Sequence, residues 1–153
     1  MMKILLVDDE SYKSQQISPC VMHNYEDSVI KTCESLNAGL LEITSANYDF
    51  VLLDMSLPIY DKNEVSSFNS YGGLDFLSEM ERKMIATPVI VVTQYEILGE
   101  GENQRTASSI DIECQQNYEN YIGMVVYSAI DNKWKISLLE KIGEAINGKD
   151  TGC

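Results

Sequence analysis

Runs of consecutive apolar residues recur along the chain at intervals that suit an alternation of strands and helices. Three runs rich in aliphatic and β-branched residues predict buried strands, namely Ile4–Val7, Phe50–Leu53 and Val89–Val92. Two weaker runs, Ser28–Cys33 and Ile122–Tyr127, predict two further strands. Because the apolar positions are consecutive rather than alternating, the pattern is typical of parallel strands that are covered on both faces.

Between the predicted strands, apolar residues recur at the three- and four-residue spacing of amphipathic helices. The last of these helices has Asp131 or Asn132 as its predicted N-cap and Gly148 as its predicted stop. Another helix is predicted over about residues 10–24, where Pro19 is expected to kink, restart or end it. The apolar stripes are Leu36, Leu40, Leu41 and Thr44; then Leu74, Leu77, Met80 and Met84; and finally Trp134, Leu138, Leu139, Ile142, Ala145 and Ile146.

This alternation predicts a doubly wound α/β fold with a five-stranded parallel sheet in the order 2-1-3-4-5 and helices on both faces. The 153 residues suit one domain, which we expect to span residues 1–148, followed by a tail of residues 149–153. Two long polar segments, Leu57–Tyr71 and Glu96–Tyr121, depart from a minimal version of this fold. Connections of that length are usually functional or mobile.

The charge balance narrows the classes of partner. The chain has 11 Lys and Arg residues against 24 Asp and Glu residues, a formal net charge of −13. Direct partners that require a basic surface, such as nucleic acid or an anionic membrane, are therefore not expected. No segment approaches the roughly 20 apolar residues that span a bilayer, and the short apolar N-terminus runs directly into acidic residues. We expect a cytoplasmic protein.

Cysteine and histidine usage excludes several kinds of site. The four cysteines form no Cys-x-x-Cys pair and lack histidines at metal-ligand spacing, so free thiols in a reducing compartment are expected. His23 is the only histidine, which argues against histidine-based catalysis.

Acidic residues follow two of the predicted strands. Asp8 and Asp9 come directly after the first strand, and Asp54 ends the third. The predicted order places these strands side by side, and ligands of open α/β sheets bind outside the carboxyl ends of the strands. Two carboxylates about 4 Å apart repel by roughly 4 kcal/mol at an effective dielectric constant near 20. A hard cation would relieve this repulsion, and an all-oxygen ligand set suits Mg²⁺ better than zinc.

A hydroxyl group joins this cluster from a third strand. Thr93 directly follows the apolar run "VIVV" and is expected to face the same crevice. Carboxylates, a cation and a hydroxyl together form a site that can hold a phosphoryl group on Asp54, because an aspartate can act as the nucleophile.

Four segments carry a resemblance to a known family. "ILLVDDE", "YDFVLLDMSLP" with Asp54 four residues before Pro58, "GGLDFL" and "PVIVVTQ" resemble the receiver domain of bacterial two-component response regulators over nearly the whole chain. The resemblance implies a flavodoxin-like fold, with Asp54 as the phosphoacceptor and Thr93 as the switch hydroxyl. It also implies that Asp8, Asp9, Asp54 and the main-chain carbonyl of Met55 bind Mg²⁺.

The chain departs from the family pattern after the fifth strand. Receivers normally carry a lysine there that contacts the phosphoryl group, whereas this chain reads "GMVVYSAIDNKW" and has Tyr127, or Ser128 in a shifted alignment. Lys133 and Lys135 lie too far into the next helix to replace it, and Met124 lies near the place of the usual aromatic switch residue. We therefore expect only a neutral hydroxyl in place of that lysine. Phosphorylation of Asp54 should then be coupled only weakly to any rearrangement at Thr93 and the fifth strand.

The resemblance implies a signalling protein rather than an enzyme, with at most slow self-catalysed phosphorylation and dephosphorylation. The phosphoryl group would come from a sensor histidine kinase or another phosphodonor. Because no residues after 150 provide a DNA-binding output domain, we expect signalling by contact with a downstream protein. Two alternatives remain: a pseudo-receiver that binds partners without phosphorylation, and an aspartate-nucleophile phosphohydrolase of the haloacid dehalogenase type. The latter type expects an Asp-x-Asp motif after the first strand, which "DDE" lacks.

Overall fold

A parallel sheet forms the centre of the molecule. The computed structural model describes residues 1–60, 68–69, 71–99 and 101–151. Within them, five parallel strands pair in the order β2-β1-β3-β6-β9, which is 2-1-3-4-5 when only the strands of this sheet are counted. The predicted α/β fold and its strand order are confirmed. The strands are β1 (Met2–Val7), β2 (Ser28–Cys33), β3 (Phe50–Leu53), β6 (Val89–Thr93) and β9 (Tyr121–Val126).

In the described part of the chain, five helices cover the two faces of the sheet. On one face lie α1 (Ser11–Asn24) and α5 (Lys133–Thr151), and on the other lie α2 (Leu36–Ser45), α3 (Gly72–Arg82) and α4 (Ala107–Asn117). None of the helices in the part of the chain that the structure describes has the length and hydropathy needed to cross a bilayer.

The consecutive apolar runs are explained by burial on both sides of the sheet. In β1, Ile4 and Leu6 point into the core beneath α1 and α5, whereas Leu5 and Val7 point into the core beneath α2, α3 and α4. Successive side chains of a strand face opposite sides, so a strand covered on both sides needs an apolar residue at every position.

The first long segment forms a short antiparallel ladder. After β3, the strand β4 (Leu57–Pro58) pairs with β5 (Phe68–Asn69). Residues 61–67 and 70, which the sequence analysis placed in a polar connection, lie outside the described residues.

The second long segment contains a helix that the sequence analysis did not locate. The strand β7 (Ile97–Leu98) pairs antiparallel with β8 (Arg105–Thr106), and helix α4 follows directly. Helix α4 buries only Ala107, Ile110 and Cys114. Because this apolar stripe is so narrow, the segment resembles a polar loop in the sequence.

Two of the predicted helix ends, those of α3 and α5, needed correction. Met84 does not belong to the stripe of α3, because the helix ends at Arg82 and Met84 has a φ of 60° and is 90% exposed. The amide of Ile85 donates to the Met80 carbonyl at 2.9 Å across this left-handed residue, which is a Schellman-type helix end. Helix α1 runs through Pro19 without ending, and α5 continues past Gly148 to Thr151.

Candidate functional site

Two of the predicted site residues extend the hydrogen-bond ladder of the sheet. The amide of Asp8 donates to the Cys33 carbonyl at 2.9 Å, and the amide of Asp54 donates to the Val7 carbonyl at 2.9 Å. Both residues are therefore held at the carboxyl edge of the sheet, on neighbouring strands.

This edge brings three carboxylates together. One oxygen from each of Asp8, Asp9 and Asp54 lies within 4.8 Å of the other two, and no other cluster of this kind occurs among the residues that the structure describes. Asp8 is 2% exposed and Asp54 is 7% exposed, whereas Asp9 is half-buried. The clustering that the strand order implied is thus observed, and its donor set of oxygen atoms fits Mg²⁺.

A fourth charged group, which the sequence analysis did not assign to the site, lies between two of these acids. The Lys13 ammonium is 2.8 Å from Asp8 Oδ2 and 3.3 Å from Asp54 Oδ1. It also donates a hydrogen bond to the main-chain carbonyl of Val92 at 3.0 Å. The Lys13 side chain is fully buried. The expectation that this site would lack a cationic side chain was therefore wrong.

Lys13 reaches the site from the first turn of helix α1. The helix buries Lys13, Ile17 and Val21, which are spaced four residues apart and form the stripe that faces the sheet. A cation in the first turn of a helix is opposed by the helix dipole. The helix itself gains nothing from a lysine here, so the two carboxylates account for its position. The signal in the sequence was a lysine in line with an apolar stripe, three residues after the acidic residue Glu10.

The burial of these groups perturbs their ionisation. Desolvation raises the pKa of Asp54 to about 7, with Lys13 opposing this shift and Asp8 adding to it. Desolvation likewise raises the pKa of Asp8, again against the effect of Lys13. Burial by itself would lower the pKa of Lys13, but the charges of Asp54 and Asp8 raise it above its ordinary value. Lys13 therefore remains an ammonium group at neutral pH.

Thr93 lies at the end of β6 and is fully buried. The amide of Tyr95 donates weakly to Thr93 Oγ1 at 3.4 Å, and the carbonyl of Thr93 accepts the amide of Tyr127 at 2.8 Å. Since Val92 binds Lys13 through its carbonyl, the residue next to Thr93 is in direct contact with the charged cluster.

The carbonyl of Met55, the fourth predicted metal ligand, accepts the amide of Gly73 at 2.8 Å. A carbonyl oxygen has two lone pairs, so the second remains for a metal ion. The contact also explains the "GG" of α3. A Cβ at Gly73 would lie 2.9 Å from the Asp54 carbonyl oxygen, so only glycine lets the helix approach this closely.

The residues at the usual place of the receiver lysine have other contacts. Tyr127 is buried, and its ring packs at 5.0 Å between centroids against Trp134, which is a core residue as expected. Ser128 Oγ accepts the amide of Ile130 within a turn. Lys133 is exposed, and Lys135 lies over the Trp134 ring. Among the described residues, none of these side chains contacts the acidic cluster.

Met124, near the usual place of the aromatic switch residue, is partly buried in β9 against the core beneath α2, α3 and α4. Among the described residues, Cys20, Cys33 and Cys114 form no disulfide bond, and Cys153 lies outside the described residues.

Known proteins resemble this chain in sequence and in fold. No family model matches the chain. The Detocs response regulatory protein DtcB of Enterobacter cloacae is 32% identical over 149 residues, which cover 94% of this chain and 99% of that protein.

Solved structures share the fold. A response regulator receiver domain protein from Clostridium thermocellum has a TM-score of 0.67 at 24% identity, over 100% of both chains. TrrA from Thermotoga maritima, a response regulator protein solved in complex with Mg²⁺-BeF, has a TM-score of 0.61 at 25% identity, over 95% of this chain and 99% of that one.

Proposed function

This chain belongs to the receiver domains of response regulators, and from that premise we propose that it accepts a phosphoryl group on Asp54 in a Mg²⁺-dependent reaction. The observation that carries the proposal is the packing of Asp54 against Asp8, Asp9 and Lys13 at the carboxyl edge of the sheet. Such a cluster of charges is unfavourable for a purely structural site, because it desolvates several ionised groups at once.

The residues present fit a magnesium ion. Asp8, Asp9 and Asp54 offer carboxylate oxygens, and the second lone pair of the Met55 carbonyl offers a fourth oxygen. When bound, Mg²⁺ neutralises negative charge on the transferred phosphoryl group and orients it. The complex of TrrA with Mg²⁺-BeF supports this proposal, because that protein holds the metal together with beryllofluoride on the same fold.

Asp54 is the proposed nucleophile. One of its carboxylate oxygens forms a new bond to the phosphorus atom of the donor. The bond from phosphorus to the nitrogen or oxygen of the donor breaks, and its electron pair leaves with the donor group. Asp54 must be ionised for this attack, and the charge of Lys13 favours that ionised form against the effect of burial. The hydroxyl of Thr93 is the proposed switch group that moves to a phosphoryl oxygen.

The remaining elements of the proposal concern partners and compartment. The phosphoryl donor is a sensor histidine kinase or another phosphodonor in the cytoplasm, and the phosphorylated chain acts by contact with a downstream protein. A relative named as a response regulatory protein supports this role. The chain acts as a phosphoacceptor and catalyses at most its own slow phosphorylation and dephosphorylation.

One observation favours the alternative of a pseudo-receiver. The Lys13 ammonium already lies between Asp8 and Asp54, so part of the negative charge is neutralised without a metal ion. A protein with this arrangement can keep the fold and bind partners while never being phosphorylated.

Intact mass after incubation with acetyl phosphate and Mg²⁺ separates the two functions. We expect the wild-type chain to gain the mass of one phosphoryl group, and the Asp54→Ala variant to gain none. Asp27→Ala is the matched control, because Asp27 is exposed and its carbonyl accepts the amide of Met2 at the opposite edge of the sheet. If folded wild-type protein gains no mass from acetyl phosphate or phosphoramidate, the pseudo-receiver is the correct function.

A further inference from the structure

The buried lysine extends the proposed function to a specific role. Resting on phosphorylation of Asp54, we propose that Lys13 is the cationic side chain that contacts the phosphoryl group, supplied from helix α1 rather than from the segment after the last sheet strand. Lys13 thus supplies the cationic group that neither Tyr127 nor Ser128 can supply.

The contacts of the ammonium group allow this role. It has three hydrogen atoms to donate, and three oxygens surround it: Asp8 Oδ2 at 2.8 Å, the Val92 carbonyl at 3.0 Å and Asp54 Oδ1 at 3.3 Å. The contact with Asp54 is the longest of the three. When Asp54 becomes a phosphate ester, the ammonium can exchange this contact for a phosphoryl oxygen while Asp8 and Val92 continue to hold it.

The charge change on phosphorylation calls for such a group. An ionised carboxylate carries one negative charge, whereas the phosphate group that replaces it carries up to about two. The cluster already contains Asp8 and Asp9, and Lys13 is the cationic side chain that touches it within the described part of the chain. A hydrogen bond between charged groups is roughly twice as strong as one between neutral groups.

In this structure an aromatic side chain occupies the usual position of the receiver lysine. Tyr127 lies with Ile17 and Val21 of α1 and with Trp134 and Leu138 of α5 in the core on one face of the sheet. A lysine at this position would have to replace an aromatic ring that packs against Trp134. The structure therefore fills this space with apolar contacts and brings the cation in from α1.

A competing explanation is that Lys13 is only a counter-ion that keeps Asp8 and Asp54 together. The two roles differ in what removal of the charge does to two ligands. Without Lys13, the acids should bind Mg²⁺ more tightly under both explanations. A phosphoryl mimic should bind more weakly only if Lys13 contacts it.

The first experiment measures both ligands by calorimetry on wild-type protein and on Lys13→Met. We expect Mg²⁺ to bind severalfold more tightly to the variant than to wild type. At saturating Mg²⁺, beryllofluoride should bind to the variant at least about tenfold more weakly than to wild type, because a charged hydrogen bond is lost. Lys133→Met is the matched control, because Lys133 is the first lysine after the last sheet strand and is exposed. It should leave both affinities within about twofold of wild type, as exposed charges interact weakly.

The second experiment tests relocation of the charge. In the double variant Lys13→Met, Tyr127→Lys, a lysine stands at the position that other receivers use. We expect it to regain at least part of the lost beryllofluoride affinity. Beryllofluoride affinity that is unchanged or higher in Lys13→Met would show that Lys13 is only a counter-ion of Asp8 and Asp54 and contradict the inference.

A measurement on the wild-type protein keeps the inference testable if Lys13→Met does not fold. The carbon adjacent to the Lys13 ammonium gives an NMR signal that should move when beryllofluoride is added at saturating Mg²⁺, whereas that of Lys133 should not. If wild-type protein binds beryllofluoride and the Lys13 signal stays unchanged, the inference fails and the proposed function stands. If wild-type protein binds no beryllofluoride at all, the proposed function fails with it.

Discussion

At the scale of single residues, this protein contains an energetically costly feature, a fully buried ammonium group between two buried carboxylates. Moving such ions out of water costs several kcal/mol each, and their mutual attraction offsets this only when the geometry is good. Here Asp8, Asp54 and the Val92 carbonyl all lie within hydrogen-bonding or ion-pairing distance of Lys13. The cluster is held in place by the fold rather than being a source of its stability.

The raised pKa of Asp54 predicts how stability depends on pH. Its pKa is about 7 in the folded protein, against 3.8 for an unperturbed group. Because the folded state binds this proton more tightly than the unfolded state does, the free energy of unfolding falls as pH rises from about 4 to about 7. Each pKa unit corresponds to about 1.4 kcal/mol, so the change amounts to a few kcal/mol.

Chemical denaturation in metal-free buffer between pH 5 and pH 8 (~1 to ~4 units above an ordinary aspartate pKa) measures this effect. Asp54→Asn should flatten the profile and be more stable than wild type at the upper end. Glu140→Gln, which removes an exposed acid of α5, should leave the profile unchanged. A wild-type profile that rises with pH over this range would contradict the assigned shift.

Metal binding is the second prediction at this scale. Mg²⁺ in the micromolar-to-millimolar range should raise the melting temperature, because a ligand that binds only the folded state stabilises it by mass action. Asp9→Ala and Asp54→Ala should each abolish most of the rise, whereas Asp27→Ala should keep it. The measurement is a thermal melt with and without Mg²⁺. If Mg²⁺ raises the melting temperature of both site variants as much as that of wild type, Asp9 and Asp54 are not its ligands.

At the scale of secondary structure elements, helix α3 is held close to the loop that carries Asp54. A Cβ at Gly72 would lie 2.9 Å from Leu57 Cβ, and one at Gly73 would lie 2.9 Å from both the Asp54 carbonyl oxygen and Met55 Cα. Contacts with main-chain atoms cannot be relieved by a side-chain rotation. Placement of Asp54 therefore depends on two glycines that bear no chemistry of their own.

Substitution of Gly73 should lower the stability of the protein and weaken Mg²⁺ binding at the acidic cluster. Gly73→Ala should lower the free energy of unfolding by about 1–3 kcal/mol, as overpacking does. It should also weaken the Mg²⁺-induced rise in melting temperature, because Asp54 and Met55 must shift. Denaturant titration and thermal melts measure the two effects.

Gly143 provides the matched control for this prediction. It lies inside helix α5, and nothing lies within 4 Å of a Cβ placed there. Gly143→Ala should therefore stabilise the protein by roughly 0.5–1 kcal/mol through helix propensity and leave the Mg²⁺ response unchanged. If Gly73→Ala behaves like Gly143→Ala, the close approach of α3 does not constrain the site.

Helix α1 and strand β6 are joined at the charged cluster. Lys13 belongs to the helix, and its ammonium group donates a hydrogen bond to the carbonyl of Val92, the residue before Thr93 in β6. The ammonium group of Lys13 therefore connects Asp8 and Asp54 to β6 at the residue before Thr93, the proposed switch residue. This gives the site a link to Thr93 that the sequence analysis, which expected weak coupling, did not include.

At the scale of the whole molecule, the formal net charge of −13 limits which partners can bind. We predict no salt-dependent binding to double-stranded DNA at near-physiological salt, because phosphate contacts require clustered Lys and Arg. Fluorescence anisotropy with a labelled duplex measures this. Binding that weakens steeply as salt is added would contradict the prediction and favour a nucleic-acid partner.

The sequence by itself determined the architecture and the clustering of the three acidic residues at one edge of the sheet. Short runs of consecutive apolar residues rich in β-branched side chains favour strands buried on both faces, and Ile4 and Leu5 do lie in different cores. Once the strand order places the first and third runs side by side, the residues that follow them, Asp8 and Asp54, must meet. These inferences succeed because alternation along a strand and convergence of strand ends are local and geometric rules.

The tertiary structure alone decided which cation lies at the site and what replaced the usual lysine. The spacing of Lys13, Ile17 and Val21 showed which face of α1 they share, but only the packing of that helix on the sheet brings the ammonium to Asp54. The Tyr127 ring is likewise directed into the core by its contact with Trp134. Each of these contacts joins side chains from different segments of the chain, and periodicity along one element carries no information about them.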